Sequence, residues 1–264
     1  MSTEPRWTGW QRTAITRLLA VSGHLAAAVV TSVAFGAVAG STVPRVVRSL
    51  PEPSPAADGV VAPARTGAAV SYQELGGTPG LRWGFAAAGG LTCACVAFRL
   101  GSSAVLPAWL YLALVGLLLA WVDSRTCLLP TRIIAPSYVV VAALLVVASA
   151  VDDDWAALGR AGLAWALGGG TFFLMWFIYP KGLGYGDVRL AGLLSMALAW
   201  VGWAEFAVGM YSGFLLGGVV GGALVLARVV DRRRYPFGPF MVLGALLGLA
   251  FGQALADWYA NLGG

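Results

Sequence analysis

LGSSAVLPAWLYLALVGLLLAWVD, residues Leu100–Asp123, is the stretch that decides the fold class. No charged residue occurs between Leu100 and Val122, and the run ends at Asp123. A helix of about 20 apolar residues crosses the ~30 Å hydrocarbon core of a bilayer. Because that core holds no water to bond the backbone, a spanning segment is a helix or part of a closed barrel. The run lacks the alternation of a barrel strand, so it predicts a membrane-spanning helix that ends at an acidic residue.

The same pattern recurs along the chain. Only 11% of the 264 residues are charged, whereas a soluble domain carries about 25%. The predicted spans are Leu18–Gly40, Trp83–Phe98, Leu100–Val122, Ile133–Val151, Ala161–Pro180, Leu190–Ala204, Phe206–Ala227 and Pro236–Ala256. We therefore expect an all-α, polytopic membrane helix bundle of about eight transmembrane helices, with residues 1–264 forming a single membrane-embedded domain.

The distribution of basic residues predicts an orientation. Eight spans place both termini on one side, and the loops 41–82, 123–132, 181–189 and 228–235 on the other. Those four loops hold most of the 17 lysines and arginines, and cytoplasmic loops are enriched in these residues. We therefore expect these loops in the cytoplasm and both termini outside. Arg6, Arg12 and Arg17 precede the first span and locally favour the opposite orientation.

The longest hydrophilic stretch, residues 41–82, is rich in Pro, Ala, Gly and Ser and predicts a loosely ordered cytoplasmic loop. The net charge of +5 is spread over the loops, and no basic arm indicates nucleic-acid binding. Cys93, Cys95 and Cys127 lack the spacing of a zinc site, and His24 is the only histidine. We expect neither a metal nor a cofactor.

Two aspartates differ from the other acidic residues in their position. Asp123 follows one long apolar run, and Asp187 ends the sequence Gly184-Tyr185-Gly186-Asp187 just before another. Both lie at span boundaries on the same predicted membrane face. Two carboxylates a few Å apart share one proton, so one acts as acid and the other as base, which is what metal-free peptide hydrolysis requires. Which aspartate takes which role stays open, because such a pair titrates as a unit.

Simpler interpretations remain open at this point. Short glycine motifs recur by chance, and an aspartate at a helix end is usually just interfacial. A small transporter or channel could also use Asp123 and Asp187 to bind cations or relay protons. The glycines before Asp187 have a plausible role under the hydrolase hypothesis, since a residue without a Cβ lets the backbone bend and lets a substrate approach.

Four stretches, in this order along the chain, resemble the motifs of the type IV prepilin peptidase family. The members of that family are membrane aspartic proteases of the GxGD kind. The resemblance extends over most of the chain from about Phe35 to Phe240, and Arg189 replaces the usual lysine of the third motif. The stretches are Phe35–Ser41 with the following Arg45, Arg48 and Leu50-Pro51; Asp123–Pro130; Gly184–Leu190; and Tyr235–Phe240.

The resemblance implies an aspartic endopeptidase of the bacterial inner membrane. Such enzymes cleave the short basic leader of type IV prepilins or pseudopilins at the cytoplasmic membrane face, so the implied partners are such a substrate and the lipid bilayer. Asp123 and Asp187 match the two catalytic aspartates of the family. The matching motif residues are Gly184, Gly186, Leu129, Pro130, Arg189, Pro236, Phe237 and Gly238.

One segment departs from the family pattern. Many bacterial members carry a cysteine-rich cytoplasmic insertion after the first span, and they also N-methylate the new terminus with S-adenosylmethionine. Residues 41–82 replace that insertion and contain no cysteine, so the methyltransferase inference loses its support, and S-adenosylmethionine would be needed only if that activity were retained. A presenilin-like or signal-peptide-peptidase-like protease is a second enzyme hypothesis, but Trp121-Val122-Asp123 lacks the Tyr-Asp pair of that group.

Overall fold

The computed structural model describes residues 9–51, 71–180, 182–227 and 235–262. Within these ranges the chain forms ten α-helices and no strand. The helices are α1 (Gly9–Gly40), α2 (Val43–Ser49), α3 (Tyr72–Gly76), α4 (Leu81–Leu100), α5 (Leu106–Thr126), α6 (Thr131–Asp152), α7 (Trp155–Ile178), α8 (Tyr185–Val201), α9 (Trp203–Leu226) and α10 (Gly238–Leu262). The prediction of an all-α polytopic helical bundle is confirmed.

Seven apolar segments of the described chain are long enough to cross a membrane, and they correspond to α1 with α2, α4, α5, α6, α7, α9 and α10. The eighth predicted span, Leu190–Ala204, differs from them. Its residues 190–201 lie on α8, which has 17 residues and ends before the extended Gly202, and its last two residues begin α9. At 1.5 Å per residue α8 measures about 26 Å, just short of the hydrocarbon thickness. Two glycines, Gly184 and Gly202, border this helix and set its length.

Short connections make consecutive helices run antiparallel. Only Gly202 separates α8 from α9, and four residues, Cys127–Pro130, separate α5 from α6. Connections this short allow little except a reversal of direction. The ends of α5 and α7 therefore lie at the same end of the bundle as the starts of α6, α8 and α10. We call this the site end of the bundle.

Helix α8 lies at the centre of the C-terminal part of the bundle. Twelve of its 17 residues are buried, and it packs against α6, α7, α9 and α10. Helix α5 joins this group to the N-terminal helices, since it packs against α4 as well as α6 and α10. The two predicted catalytic residues lie on α5 and α8, which are the best-buried long helices of the fold.

The prediction of a loosely ordered loop over residues 41–82 is wrong at both ends of that segment, and residues 52–70 lie outside the described part. Helix α2 starts with Pro44 in its first turn, and α3 starts with a capping box in which Ser71 and Glu74 satisfy each other's backbone N–H. The two helices pack together, burying Val47 and Leu75. The sequence pattern missed them because seven and five residues are too few to show a helical period.

Helices α9 and α10 approach closely through glycines. A Cβ on Gly244 would overlap the backbone of Gly213, and a Cβ on Gly248 would lie 2.5 Å from the Cα of Gly209. In a bilayer, where apolar burial does not drive helices together, close packing of small residues supplies much of the association. This contact holds α10, whose first residue belongs to the site described below.

We expect Gly244→Ala to lower the midpoint of thermal unfolding of the detergent-solubilised protein. The added methyl group forces the α9 and α10 backbones apart, and overpacking of this kind costs about 1–3 kcal/mol. Gly218→Ala is the matched control, because Gly218 lies on α9 with open space around its Cα. Equal midpoints for the two variants would show that the glycine contact does not stabilise the bundle.

Candidate functional site

Asp123 lies in the last turn of α5, and its side chain is buried, with 4% of its surface exposed. The helix continues three residues beyond the position at which the apolar run stops, to Thr126, whose hydroxyl donates to the Val122 carbonyl at 2.7 Å. It ends where Cys127 adopts a left-handed conformation and its N–H donates to the Asp123 carbonyl at 2.7 Å. Asp123 therefore points into the bundle from a helix and does not lie in a solvated loop.

Asp187 lies in the first turn of α8 and is also buried, with 9% of its surface exposed. Its Oδ2 accepts a hydrogen bond from the Gly184 N–H at 3.1 Å, and its own N–H donates to the Gly184 carbonyl at 3.0 Å. A carboxylate in the first helical turn is stabilised by the unpaired N–H groups of that turn. The GxGD sequence thus forms a helix start that holds its aspartate in a fixed orientation.

The structure places Asp123 in the last turn of α5 and Asp187 in the first turn of α8, so both lie at the site end of the bundle. The backbone elements that carry them are also in contact. A Cβ on Gly186 would lie 2.7 Å from the Cβ of Leu129, which belongs to the α5–α6 connection. Gly186 therefore allows the start of α8 to approach the connection that leaves Asp123.

The start of α10 contributes a backbone donor to the same place. The Gly238 N–H donates to Asp123 Oδ2 at 2.8 Å, and a Cβ on Gly238 would lie 2.8 Å from the same oxygen. Helix N-termini favour negative charge, because their first N–H groups have no partner within the helix. Each of the two aspartates is therefore held by an N–H at the start of a helix: Gly184 before α8, and Gly238 at α10.

Three of the other predicted site residues shape the two connections. Pro130 directly precedes α6, and its carbonyl accepts the N–H of Ile133 at 3.0 Å. Pro236 and Phe237 precede α10, and the Phe237 ring packs against Phe172 and Phe214 at centroid distances of 6.2 and 6.4 Å. These rings belong to α7 and α9, so Phe237 anchors the start of α10, and with it the Gly238 N–H.

Arg189 lies two residues after Asp187 but its guanidinium is engaged elsewhere. It donates to the Thr131 hydroxyl on α6 and lies over the Tyr185 ring, with 4.5 Å between Cζ and the ring centroid. Among the described residues the one ion pair joins Arg99 and Glu205, so Arg189 forms none with either aspartate. The contacts of Arg189 instead tie α8 to α6.

Tyr138 and Thr131 are residues that sequence reasoning missed. Both lie on α6 and both contact Arg189, Thr131 through its hydroxyl and Tyr138 through a hydrogen bond to the Arg189 carbonyl at 2.6 Å. A usable signal was present in the sequence. The two polar residues are seven positions apart, which is two helical turns, so they share one face of a mostly apolar helix.

An apolar groove of about 440 Å³ runs along α8 from Arg189 to Met196. It is bordered by α6, α7 and α8, and its lining residues are Tyr138, Gly162, Trp165, Arg189 and Met196. Trp165 is exposed, so the groove opens on the outer surface of the bundle. In the described ranges no three His, Cys, Asp or Glu side chains are grouped as metal ligands would be.

Chemically, the site offers two carboxyl groups in a largely dry environment. Each carboxyl group is oriented by a backbone N–H, and such a pair can hold one proton between its two members. An arrangement of this kind can activate a water molecule with the ionised member and protonate a carbonyl or an amine with the other.

The chain is similar in sequence to several enzymes of the same name. The chain is 28% identical over 99 residues to the prepilin leader peptidase/N-methyltransferase of Aeromonas salmonicida, covering 34% of this chain and 33% of the relative. It is 29% identical over 142 residues to the Escherichia coli protein of that name, covering 51% and 59%. It is 29% identical over 172 residues to the Bacillus subtilis protein, covering 64% and 65%.

The matches thus span from a third to just under two thirds of the length of these relatives. No family profile matches the chain. No solved structure matches it either. The similarity supports kinship with the prepilin leader peptidases.

Proposed function

We propose that this protein is a membrane aspartic endopeptidase that removes the basic leader of type IV prepilins or pseudopilins. The observation that carries the proposal is the pair of buried carboxyl groups, Asp123 and Asp187, at one end of a polytopic helix bundle. The partial similarity to prepilin leader peptidases supplies the substrate class. The proposed location is the bacterial inner membrane, with the site end at the cytoplasmic face and both termini outside.

In the proposed mechanism the ionised aspartate takes a proton from water as the water attacks the scissile carbonyl. The other aspartate protonates the carbonyl oxygen, and the protons then pass to the leaving amine. The N–H groups of Gly184 and Gly238 keep the two carboxyl groups oriented, and this orientation is prepared before substrate binds. The mechanism needs neither a metal nor a cofactor.

The groove beside α8 supports a substrate with an apolar segment next to its cleavage site. It is apolar, it lies within the apolar part of the bundle, and it reaches Arg189, two residues from Asp187. A prepilin has a hydrophobic helix directly after its leader. We propose that part of this helix lies in the groove while the leader junction reaches the two aspartates.

The proposal covers the peptidase activity only. The names of the relatives also include an N-methyltransferase, but residues 41–82 of this chain contain no cysteine where many family members carry a cysteine-rich insertion. We therefore expect the mature pilin released by this protein to carry an unmethylated N-terminus. Mass spectrometry of the N-terminal peptide would reveal methylation as the added mass of one methylene group.

The test of the function is co-expression with a prepilin from the same genome. We expect loss of the leader, seen as a mobility shift, and a new N-terminus at the leader junction. Cleavage is expected to persist with a metal chelator. An intact prepilin in membranes that contain the folded wild-type protein would overturn the proposal, and an ion flux that depends on Asp123 and Asp187 would favour a transporter instead.

A further inference from the structure

The first turn of α8 is attached to α6 by contacts that converge on Arg189. The Arg189 carbonyl accepts a hydrogen bond from the Tyr138 hydroxyl at 2.6 Å, and the Arg189 guanidinium donates to the Thr131 hydroxyl. The guanidinium also lies over the ring of Tyr185, which packs against Trp176 of α7 with 4.9 Å between centroids. Backbone and side chain of one residue are thus held by α6, while α7 supports the stacked ring.

Gly192 makes room for the Tyr138 hydroxyl. It lies one turn after Arg189 on α8 and is buried, and a Cβ there would overlap the hydroxyl oxygen. The Trp165 indole lies on the same side, 3.3 Å from the position of that Cβ. Any larger residue at 192 would therefore push Tyr138 away from the carbonyl that it binds.

These contacts bear directly on the distance between the two aspartates. Asp187 is two residues before Arg189 on α8, and Thr131 is the first residue of α6, directly after the connection that leaves the helix of Asp123. Gly186, the residue before Asp187, also contacts Leu129 in that connection. A shift of α8 along or away from α6 changes the separation of the carboxyl groups.

We propose that Tyr138 is a positioning residue, which acts with Arg189 to fix the start of α8 and thereby the separation of the Asp123 and Asp187 carboxyl groups. This inference rests on the proposed peptidase function. Tyr138 touches neither carboxyl group among the described contacts, and it acts through the Arg189 carbonyl. Tyr138 also borders the groove proposed for the substrate helix, and Tyr138→Phe keeps the apolar ring there. Loss of the hydroxyl alone therefore affects the rate of the chemical step and leaves binding of the substrate helix nearly unchanged.

The first experiment measures cleavage kinetics of the full chain in proteoliposomes with a prepilin substrate. Tyr138→Phe is expected to lower kcat about tenfold or more with KM changed less than about twofold, because small misplacements of reacting groups have effects of up to about 100-fold. It is also expected to alter the pH profile of kcat, whose two limbs report the coupled titration of two carboxyl groups. Tyr111→Phe is the matched control, since that hydroxyl bonds Ser137 between α5 and α6 at 2.9 Å and does not reach α8.

Gly192→Ala provides an independent perturbation of the same contact. It is expected to lower kcat by a similar factor, and the added loss is expected to be smaller in the Tyr138→Phe background, where the overlapping hydroxyl is absent. Such non-additivity is the signature of two residues that act through one contact. Fully additive effects, or a Tyr138→Phe enzyme with wild-type kcat and pH profile, would overturn the proposal.

A distance measurement separates this inference from the proposed function. Spin labels on exposed Arg125→Cys and Pro180→Cys, in a background with Cys93, Cys95 and Cys127 replaced, report the distance between the end of α5 and the residues before α8. We expect Tyr138→Phe to shift or broaden this distance distribution and Tyr111→Phe to leave it unchanged. An unaltered distribution in Tyr138→Phe refutes the positioning role, whereas a wild-type protein that cleaves no prepilin refutes the proposed function alone.

Discussion

Asp123→Asn and Asp187→Asn are each expected to abolish leader cleavage, with a loss of at least about 100-fold in kcat. An amide can neither accept the proton of the attacking water nor share one with its partner, so the pair loses its acid–base function with either substitution. Asparagine has nearly the same shape as aspartate, and its carbonyl oxygen can still accept the Gly238 or Gly184 N–H. We therefore expect both variants to fold and to reach the membrane.

The measurement is the fraction of co-expressed prepilin that loses its leader, followed by mobility shift and compared at equal levels of membrane protein. Asp257→Asn is the matched control, because Asp257 is an exposed carboxylate on α10 that bonds only Gln253 among the described contacts. Normal processing by Asp123→Asn or by Asp187→Asn would exclude the two-aspartate mechanism. Loss of processing in Asp257→Asn would show that the assay responds to expression and not to chemistry.

The membrane-crossing helices and the common face of the two aspartates were predictable from local features of the sequence. An uncharged run such as Leu100–Val122 has few alternatives to a membrane-crossing helix, and seven apolar segments of sufficient length are present in the described residues. Counting spans also predicted that Asp123 and Asp187 lie on one face, because an outward and a returning helix separate them. The structure places both at the site end of the bundle. Their catalytic role and the side of the membrane stay predictions.

The features that sequence reasoning missed depend on contacts between distant residues. The hydrogen bond from Gly238 to Asp123 joins positions 115 residues apart, and no periodicity along the chain encodes such a contact. In the sequence, Tyr138 is a polar residue of a mostly apolar helix, and nothing near it in the chain indicates that its hydroxyl binds the Arg189 carbonyl, 51 residues away. Helices α2 and α3 are short, and the contacts between them, which include the hydrogen bond from the Arg48 Nε to the Gly76 carbonyl at 2.8 Å, stabilise them more than their own sequence does.

The contact between Gly186 and Leu129 leads to the second prediction of large effect. Gly186→Ala places a methyl group 2.7 Å from the Leu129 Cβ and 3.5 Å from the Leu129 carbonyl oxygen. Because the overlapping atom is the Cβ of Leu129, which cannot move without its own backbone, one of the two backbones has to move. Asp187 is the next residue, so it moves with α8. We expect kcat to fall by about 10- to 100-fold, as a displacement near 1 Å at a reacting group produces.

The prediction is tested by removing the Leu129 side chain that the added methyl group at position 186 would overlap. Leu129→Gly removes the opposing Cβ, so the double variant Gly186→Ala with Leu129→Gly is expected to recover part of the lost kcat. Gly159→Ala is the control for an added methyl group, since Gly159 lies on α7 with open space around it. All variants are compared for thermal unfolding midpoint, so that a loss of folded protein is separated from a loss of rate. A Gly186→Ala enzyme with wild-type kcat would show that close approach at this glycine does not set the position of Asp187.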